Sequence, residues 1–266
     1  KGETISLRLL GQERFTMDRL GLLPEQRTIF ERMLTLPDGV VLVTGPTGCG
    51  KSTTLYTFLN RLNTTNRRVV TIEDPVEHQL DGVMQIPVNS EIGMSFANGL
   101  RSILRSDPNV IMVGEIRDAE TATIAIRSAM TGHMVLSTLH TNDAVSAISR
   151  LIDMGIEPFL ISSSVRALVA QRLVRRLCPK CKRRGSAPGD DESFVPGYRP
   201  VGCRECRQTG YHGRVAIFEM CEISVKMQDL IVARASHSEL TAAAIEAGLI
   251  TLRDYGLQKV RYGETS

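Results

Sequence analysis

A short run of apolar, mostly β-branched residues at 40–43 breaks into Gly45-Pro46-Thr47-Gly48-Cys49-Gly50-Lys51-Ser52, and a helical pattern follows at once over 51–62. This satisfies G-x-x-x-x-G-K-[ST] in a strand, loop and helix context. The glycines let backbone N–H groups curl round a phosphate, and the new helix turns its positive end to the same anion. Lys51 is then placed to bridge the β- and γ-phosphates, Ser52 to hold Mg²⁺ and Thr53 to reach the α-phosphate. The motif therefore predicts nucleoside triphosphate binding.

The rest of the chain repeats the same alternation. Strands are predicted at 40–43, 69–72, 110–113 and 134–137, and helices at 51–62, 96–104, 119–130 and 144–154. Strands that are apolar throughout imply a mainly parallel sheet covered on both faces, an α/β fold. A further strand is predicted at 5–10, and a helix runs from Pro24 through residue 34. After residue 177 the pattern changes. Residues 183–200 are rich in Gly, Pro, Ser and Asp and read as a loop, 214–220 as a strand, and 228 onward as mostly helix.

The 266 residues suffice for one large or two modest domains. No apolar run approaches the roughly 20 residues of a spanning helix, so the chain is expected to be soluble. Residues 1–10 carry no start methionine or signal-like stretch and read like the middle of a domain, which predicts a fragment. The net charge of +3 does not by itself imply nucleic acid. One basic cluster stands out: Arg172, Arg175, Arg176, Lys180, Lys182, Arg183 and Arg184. It reads equally as a solvated face or as a contact for acidic lipid or a partner.

Hydrolysis needs more than a phosphate loop, namely a carboxylate to orient and deprotonate water. Two acidic sites follow predicted parallel strands, where open α/β sheets bind ligands. Glu73-Asp74-Pro75-Val76-Glu77 follows 69–72, and Glu115 follows 110–113 at the Walker B position.

These segments resemble the motifs of the hexameric type II secretion and type IV pilus ATPases. Residues 70–77 look like that family's Asp box. Residues 107–118, with Gly114-Glu115-Ile116-Arg117-Asp118, look like its atypical Walker B, and 131–141, with Thr131-Gly132-His133 and His140-Thr141, like its His box. The resemblance covers nearly the whole chain in order. It implies a RecA-like P-loop core, ATP and ADP as ligands with Mg²⁺, and a homohexamer. Glu115 is then the Walker B glutamate, and Glu73 and Glu77 compete with it as general base. His140 is the γ-phosphate sensor, with His133 in support. Arg8, on a strand resembling the end of the family's upstream domain, and Arg101 and Arg105, one helical turn apart, are the candidate site arginines. Residues 11–22 would link the upstream domain to the core. Cys49 stands where the family usually has Ser.

Cys178-Pro179-Lys180-Cys181 and Cys203-Arg204-Glu205-Cys206 form two C-x-x-C pairs, a spacing suited to tetrahedral zinc. Four cysteine ligands leave no open position, so the Zn²⁺ is expected to be structural. The assembly members of the family resemble this chain in carrying such a module, which favours secretion or pilus extension over retraction. The expected division is 1–16 as the remnant of an upstream domain and linker, 17–176 as ATPase core, 177–212 as zinc module and 213–266 as a mostly helical C-terminal subdomain.

The resemblance implies a motor for pseudopilus or pilus assembly, with a slight lean to type II secretion. It would sit in the cytoplasm, peripheral on the inner membrane, beside an inner-membrane platform protein and a membrane-anchored cytoplasmic partner. A nucleic-acid translocase is the rival reading. The low aromatic content, 5%, supplies no stacking array for it, and no specific nucleic acid is expected. A nucleotide-binding scaffold without turnover is the third reading, against which the paired acids and the His box count.

Overall fold

The central strands are buried along their whole length, which requires a sheet covered on both faces. The computed structural model describes residues 15–185 and 197–266. Its elements are α1 (Met17–Leu20), α2 (Pro24–Thr35), β1 (Gly39–Thr44), α3 (Lys51–Leu62), β2 (Val69–Glu73), β3 (Val83–Pro87), α4 (Phe96–Leu104), β4 (Val110–Val113), α5 (Ala119–Met130) and β5 (Met134–Leu139). Then follow α6 (Ser146–Asp153), α7 (Pro158–Ser164), β6 (Val165–Leu177), β7 (Arg183–Arg184), β8 (Tyr198–Arg199), β9 (Tyr211–Glu222), α8 (Val225–Val232), α9 (His237–Glu246) and α10 (Leu252–Arg261).

Seven strands form one sheet in the order β3-β2-β4-β5-β1-β6-β9. All neighbours are parallel except β9, which runs antiparallel to β6. This is the expected α/β class. Alternation along β1 splits the core in two. Val40 and Leu42 pack with Leu100, Ala122 and Ile148 on one face. Val41 and Val43 pack with Phe30, Leu55, Phe58 and Phe218 on the other.

Caps set where several helices begin. Asp118 accepts from Thr121 N ahead of α5, Ser95 from Asn98 N ahead of α4, and Ser236 with Glu239 closes a capping box on α9. Within the stretch 183–200, β7 pairs with β8 as a two-residue antiparallel ladder where a loop was expected.

The strand expected at 5–10, and Arg8 on it, lie outside the described residues. The described part of the expected linker, 15–22, is packed on the core. Phe15, Met17 and Leu20 are buried, and Asn60 donates to the Phe15 carbonyl at 3.1 Å. From the other end of the chain, the buried Lys259 ammonium donates to Gly21 O at 2.6 Å and to Glu264 Oε1 at 2.8 Å. The Tyr255 hydroxyl accepts from Leu23 N at 3.0 Å. Among the described residues no helix is long and apolar enough to cross a membrane.

Candidate nucleotide site and four-cysteine centre

The loops leaving β1, β2, β4 and β5 line one cavity of about 780 Å³ at the C-terminal edge of the parallel strands. Of the residues expected at the site, Thr47, Gly48, Gly50, Lys51, Ser52, Thr53, Glu73, Glu77, Glu115 and His140 line it. Thr44 at the end of β1 ties the phosphate loop to the segment after His140. Its Oγ1 accepts from Thr141 N at 2.8 Å and lies 2.6 Å from Thr141 Oγ1.

The loop's shape depends on glycine at two points. Gly50, which caps the start of α3, has φ +91°, and a Cβ there would stand 2.9 Å from the Gln171 amide nitrogen. At Gly45, φ +147°, a Cβ would meet Gln171 O at 2.5 Å. Strand β6 therefore supports the loop from behind, and Gln171 also accepts from Thr54 Oγ1 at 2.7 Å. Lys51 folds back on the loop, donating to Gly45 O at 2.8 Å and Pro46 O at 3.1 Å. Burial lowers its pKa, with Arg172 adding to this and Cys49 and Glu115 opposing it. Cys49 is buried under the loop, and burial pushes its thiol pKa up.

The three candidate acids occupy different environments. Glu73 is 4% exposed and its acceptors are engaged: Thr71 Oγ1 donates at 2.5 Å and Gln85 Nε2 at 3.0 Å to Oε1, and the Tyr56 hydroxyl at 2.5 Å to Oε2. Glu77 is half-buried at the cavity wall. Glu115 faces the cavity between Arg117, which donates to Oε1, and His140, whose Nε2 is 3.6 Å from Oε2. Burial raises the pKa of Glu115, but the hydrogen bond and charge of Arg117, helped by His140, outweigh it and hold the carboxyl below its ordinary range.

His133 stands before the first residue of β5, while His140 follows the last. The six strand residues between them make seven steps, a separation of about 23 Å. His133 Nδ1 is instead 2.9 Å from Ser128 O at the far edge of the sheet, so it does not reach the cavity. Arg101 and Arg105 also turn away from it: Arg101 pairs with Glu120 at 2.6 Å and Arg105 donates to Ser102 Oγ at 3.2 Å. Sequence reasoning passed over Arg117, although it lies inside the motif quoted for Glu115. It reaches Glu115 and, at 3.7 Å, Asp74, joining the loops after β4 and β2. Tyr56 and Arg214, which also line the cavity, had no motif to mark them.

Away from this cavity, Cys178, Cys181, Cys203 and Cys206 bring their sulfurs within 4.8 Å of one another, and all four are free thiols. The Sγ–Sγ separations of 3.9, 3.8 and 3.7 Å match the roughly 3.8 Å edge of a tetrahedron with Zn–S bonds near 2.3 Å. The donor set thus fits zinc. Burial pushes the Cys206 thiol up, but the N–H groups of Cys203 and Gly210, at 3.2 and 3.3 Å, with the neighbouring thiols of Cys203 and Cys181, outweigh it and hold the thiol below its ordinary value. Several members of the basic cluster are used internally. Arg175 lies over the Tyr211 ring at 3.9 Å, Lys180 pairs with Glu205 at 3.3 Å, and Lys182 donates to Gly263 O at 2.7 Å.

A glycine-rich loop at the switch between β1 and α3, facing acids from neighbouring strands, is the arrangement of the α/β ATPases. The Type II/IV secretion system protein family matches residues 1–266, and the chain belongs to that family. It is 48% identical over 279 residues to the type II secretion system ATPase E of Vibrio cholerae serotype O1, covering 100% of this chain and 54% of that protein. It is 45% identical over 278 residues to the type IV pilus assembly ATPase PilB of Myxococcus xanthus, covering 100% of this chain and 49% of PilB. The chain thus spans about half the length of the curated relatives it matches. Among solved structures, it resembles the pilus retraction motor PilT with bound ADP, with a TM-score of 0.67 and 30% identity over 93% of this chain and 68% of that one.

Proposed function

We propose that this chain is the ATP-hydrolysing part of a homohexameric motor that drives pseudopilus assembly in type II secretion. The observation that carries the reading is the single cavity holding Lys51, Ser52, Glu115 and His140 together at the strand ends. In it, the loop N–H groups and the α3 N-terminus would cradle the β-phosphate. Lys51 would exchange its contacts with the loop carbonyls for the β- and γ-phosphates. The Ser52 hydroxyl and the nearby carboxylates suit Mg²⁺, which when bound neutralises charge developing on the phosphates.

Glu73, with three donors already on it, is the poorest base of the three acids. We assign the water-orienting role to Glu115, with Glu77 tested beside it, and the γ-phosphate contact to His140. Charge on the transferred phosphoryl group calls for guanidinium, and Arg117 and Arg214 already line the cavity. Arg8 would arrive with the upstream domain. Arg101 and Arg105, which stand outside the cavity, remain the other candidate site arginines. The four cysteines would hold a structural Zn²⁺ in the 177–212 module, between the 17–176 core and the 213–266 subdomain.

The partners that fit are an inner-membrane platform protein and a membrane-anchored cytoplasmic protein, with the motor peripheral on the cytoplasmic face. Pilus extension is the second reading, supported by the relative PilB. The test is ATP turnover by the complete protein, with and without DNA, together with copurification from the native cell. Turnover without DNA stimulation and recovery with a secretion platform support the proposal. Strict dependence on DNA, or recovery with a pilus platform only, overturns it.

A further inference from the structure

The acidic loop at 73–78 carries two of the candidate acids, and something must fix it relative to the phosphate loop. We propose that Tyr56 is the positioning residue that does so. The inference rests on the ATPase reading and adds a residue to it.

Tyr56 lies on α3, the helix that leaves the phosphate loop, and is 1% exposed. Ser52 and Thr53 precede it by four and three residues, so all three share one face of the helix. A phenol has one proton to donate. Here its direction is dictated by Glu73, which as a carboxylate only accepts and whose Oε1 is taken by Thr71 and Gln85. Tyr56 therefore donates to Glu73 Oε2 at 2.5 Å, and its lone pairs are left to accept from Glu77 N at 3.2 Å and His78 N at 3.4 Å. Glu73 orients the hydroxyl, and the hydroxyl fastens the backbone of Glu77.

The ring is held as well. Phe15 meets it edge-on at 4.9 Å and His78 at 5.9 Å. A displacement of α3 at Ser52 is thereby carried to Glu77 through one rigid side chain. Tyr56→Phe keeps this packing and deletes only the oxygen, leaving the two loop N–H groups without their acceptor.

The experiment compares full-length wild-type protein with Tyr56→Phe, Glu73→Gln and the double variant. Readouts are kcat and KM for ATP, melting temperature, and hydrogen exchange of the peptide covering 73–78. Tyr56→Phe is expected to lower kcat by about 10-fold or more, as small misplacements do, with KM within about twofold and faster exchange in 73–78. Glu73→Gln, whose amide can donate to the phenol oxygen and reverse the hydroxyl, should give the same split. The double variant should lose no more than either single change. An unchanged kcat in Tyr56→Phe, a loss of KM and kcat in step with melting temperature, or multiplicative losses in the double variant would overturn the assignment while leaving the ATPase reading intact. Wild-type protein that neither binds nor turns over ATP would remove both.

Discussion

Nε2 of His140 stands 3.6 Å from Oε2 of Glu115 because β4 and β5 pair in register, Val113 opposite Ser137, and release their next residues over the same cavity. With Arg117 on its other oxygen, Glu115 is an ionised carboxylate well before neutral pH. Glu115→Gln is expected to retain bound ATP while kcat falls by about 10²–10⁴-fold, the usual cost of losing a general base. Single-turnover kinetics on ATP-loaded protein checks this. If Glu77→Gln traps ATP and Glu115→Gln does not, the base assignment passes to Glu77.

The same carboxylate makes a pH-dependent contribution to stability. Its folded pKa lies below the unfolded value near 4.5, so the contribution is complete above that value and is lost as pH falls through the folded one. Urea melts of wild type and Glu115→Gln should therefore differ most at neutral pH and converge as pH drops below about 4.5. A gap that widens on acidification would contradict the sign.

Lys51→Ala removes a cation that the loop carbonyls hold in place, and should leave the fold intact. The expected loss in nucleotide affinity is about 10- to 100-fold, the worth of a charge-assisted hydrogen bond of roughly 1.5–3 kcal/mol. Titration with a fluorescent ADP analogue measures it, and unchanged affinity would remove Lys51 from the phosphate contacts.

Elemental analysis of protein purified without chelator should find about one zinc per chain. Replacing Cys178 and Cys206 with Ser should lower that content and speed hydrogen exchange across 177–212. ADP binding should persist, since Gln171 and the phosphate loop are anchored by β1 and β6 rather than by the cysteines. Full zinc content in the double variant would dismiss the four-sulfur site.

Gly99 lets α4 lie close on β2, where a Cβ would stand 1.9 Å from Ile72 Cδ1. Gly99→Ala gains up to about 1 kcal/mol in helix propensity but overpacks the contact at a cost of about 1–3 kcal/mol. Net destabilisation is expected in a urea melt, and a stabilised variant would show that Ile72 yields freely.

Strands β1, β2, β4 and β5 were readable because they are apolar runs, whereas the half-exposed edge strand β3 carries no such run. Strand β6 was not. Ala167, Leu168, Gln171 and Arg172 favour helix, and only pairing with β1 on one side and β9 on the other extends them. The phosphate loop and the cysteine pairs were legible as spacings within single segments. The environments of the acids were not, because Glu73 is enclosed by Tyr56, Thr71 and Gln85 from three different elements. His133 was expected to support His140 because both lie in one motif, yet the length of β5 puts them at opposite edges.

The grip of Lys259 and Tyr255 on Gly21 and Leu23 ties the C-terminal helix to the first described residues of the chain. With 21–23 clasped by the last helix and Phe15 seated beside Tyr56, both ends of the stretch from Phe15 to Leu23 are held on the core. The ring beside the acidic loop and the C-terminal helix are thereby fastened to one and the same nine-residue stretch.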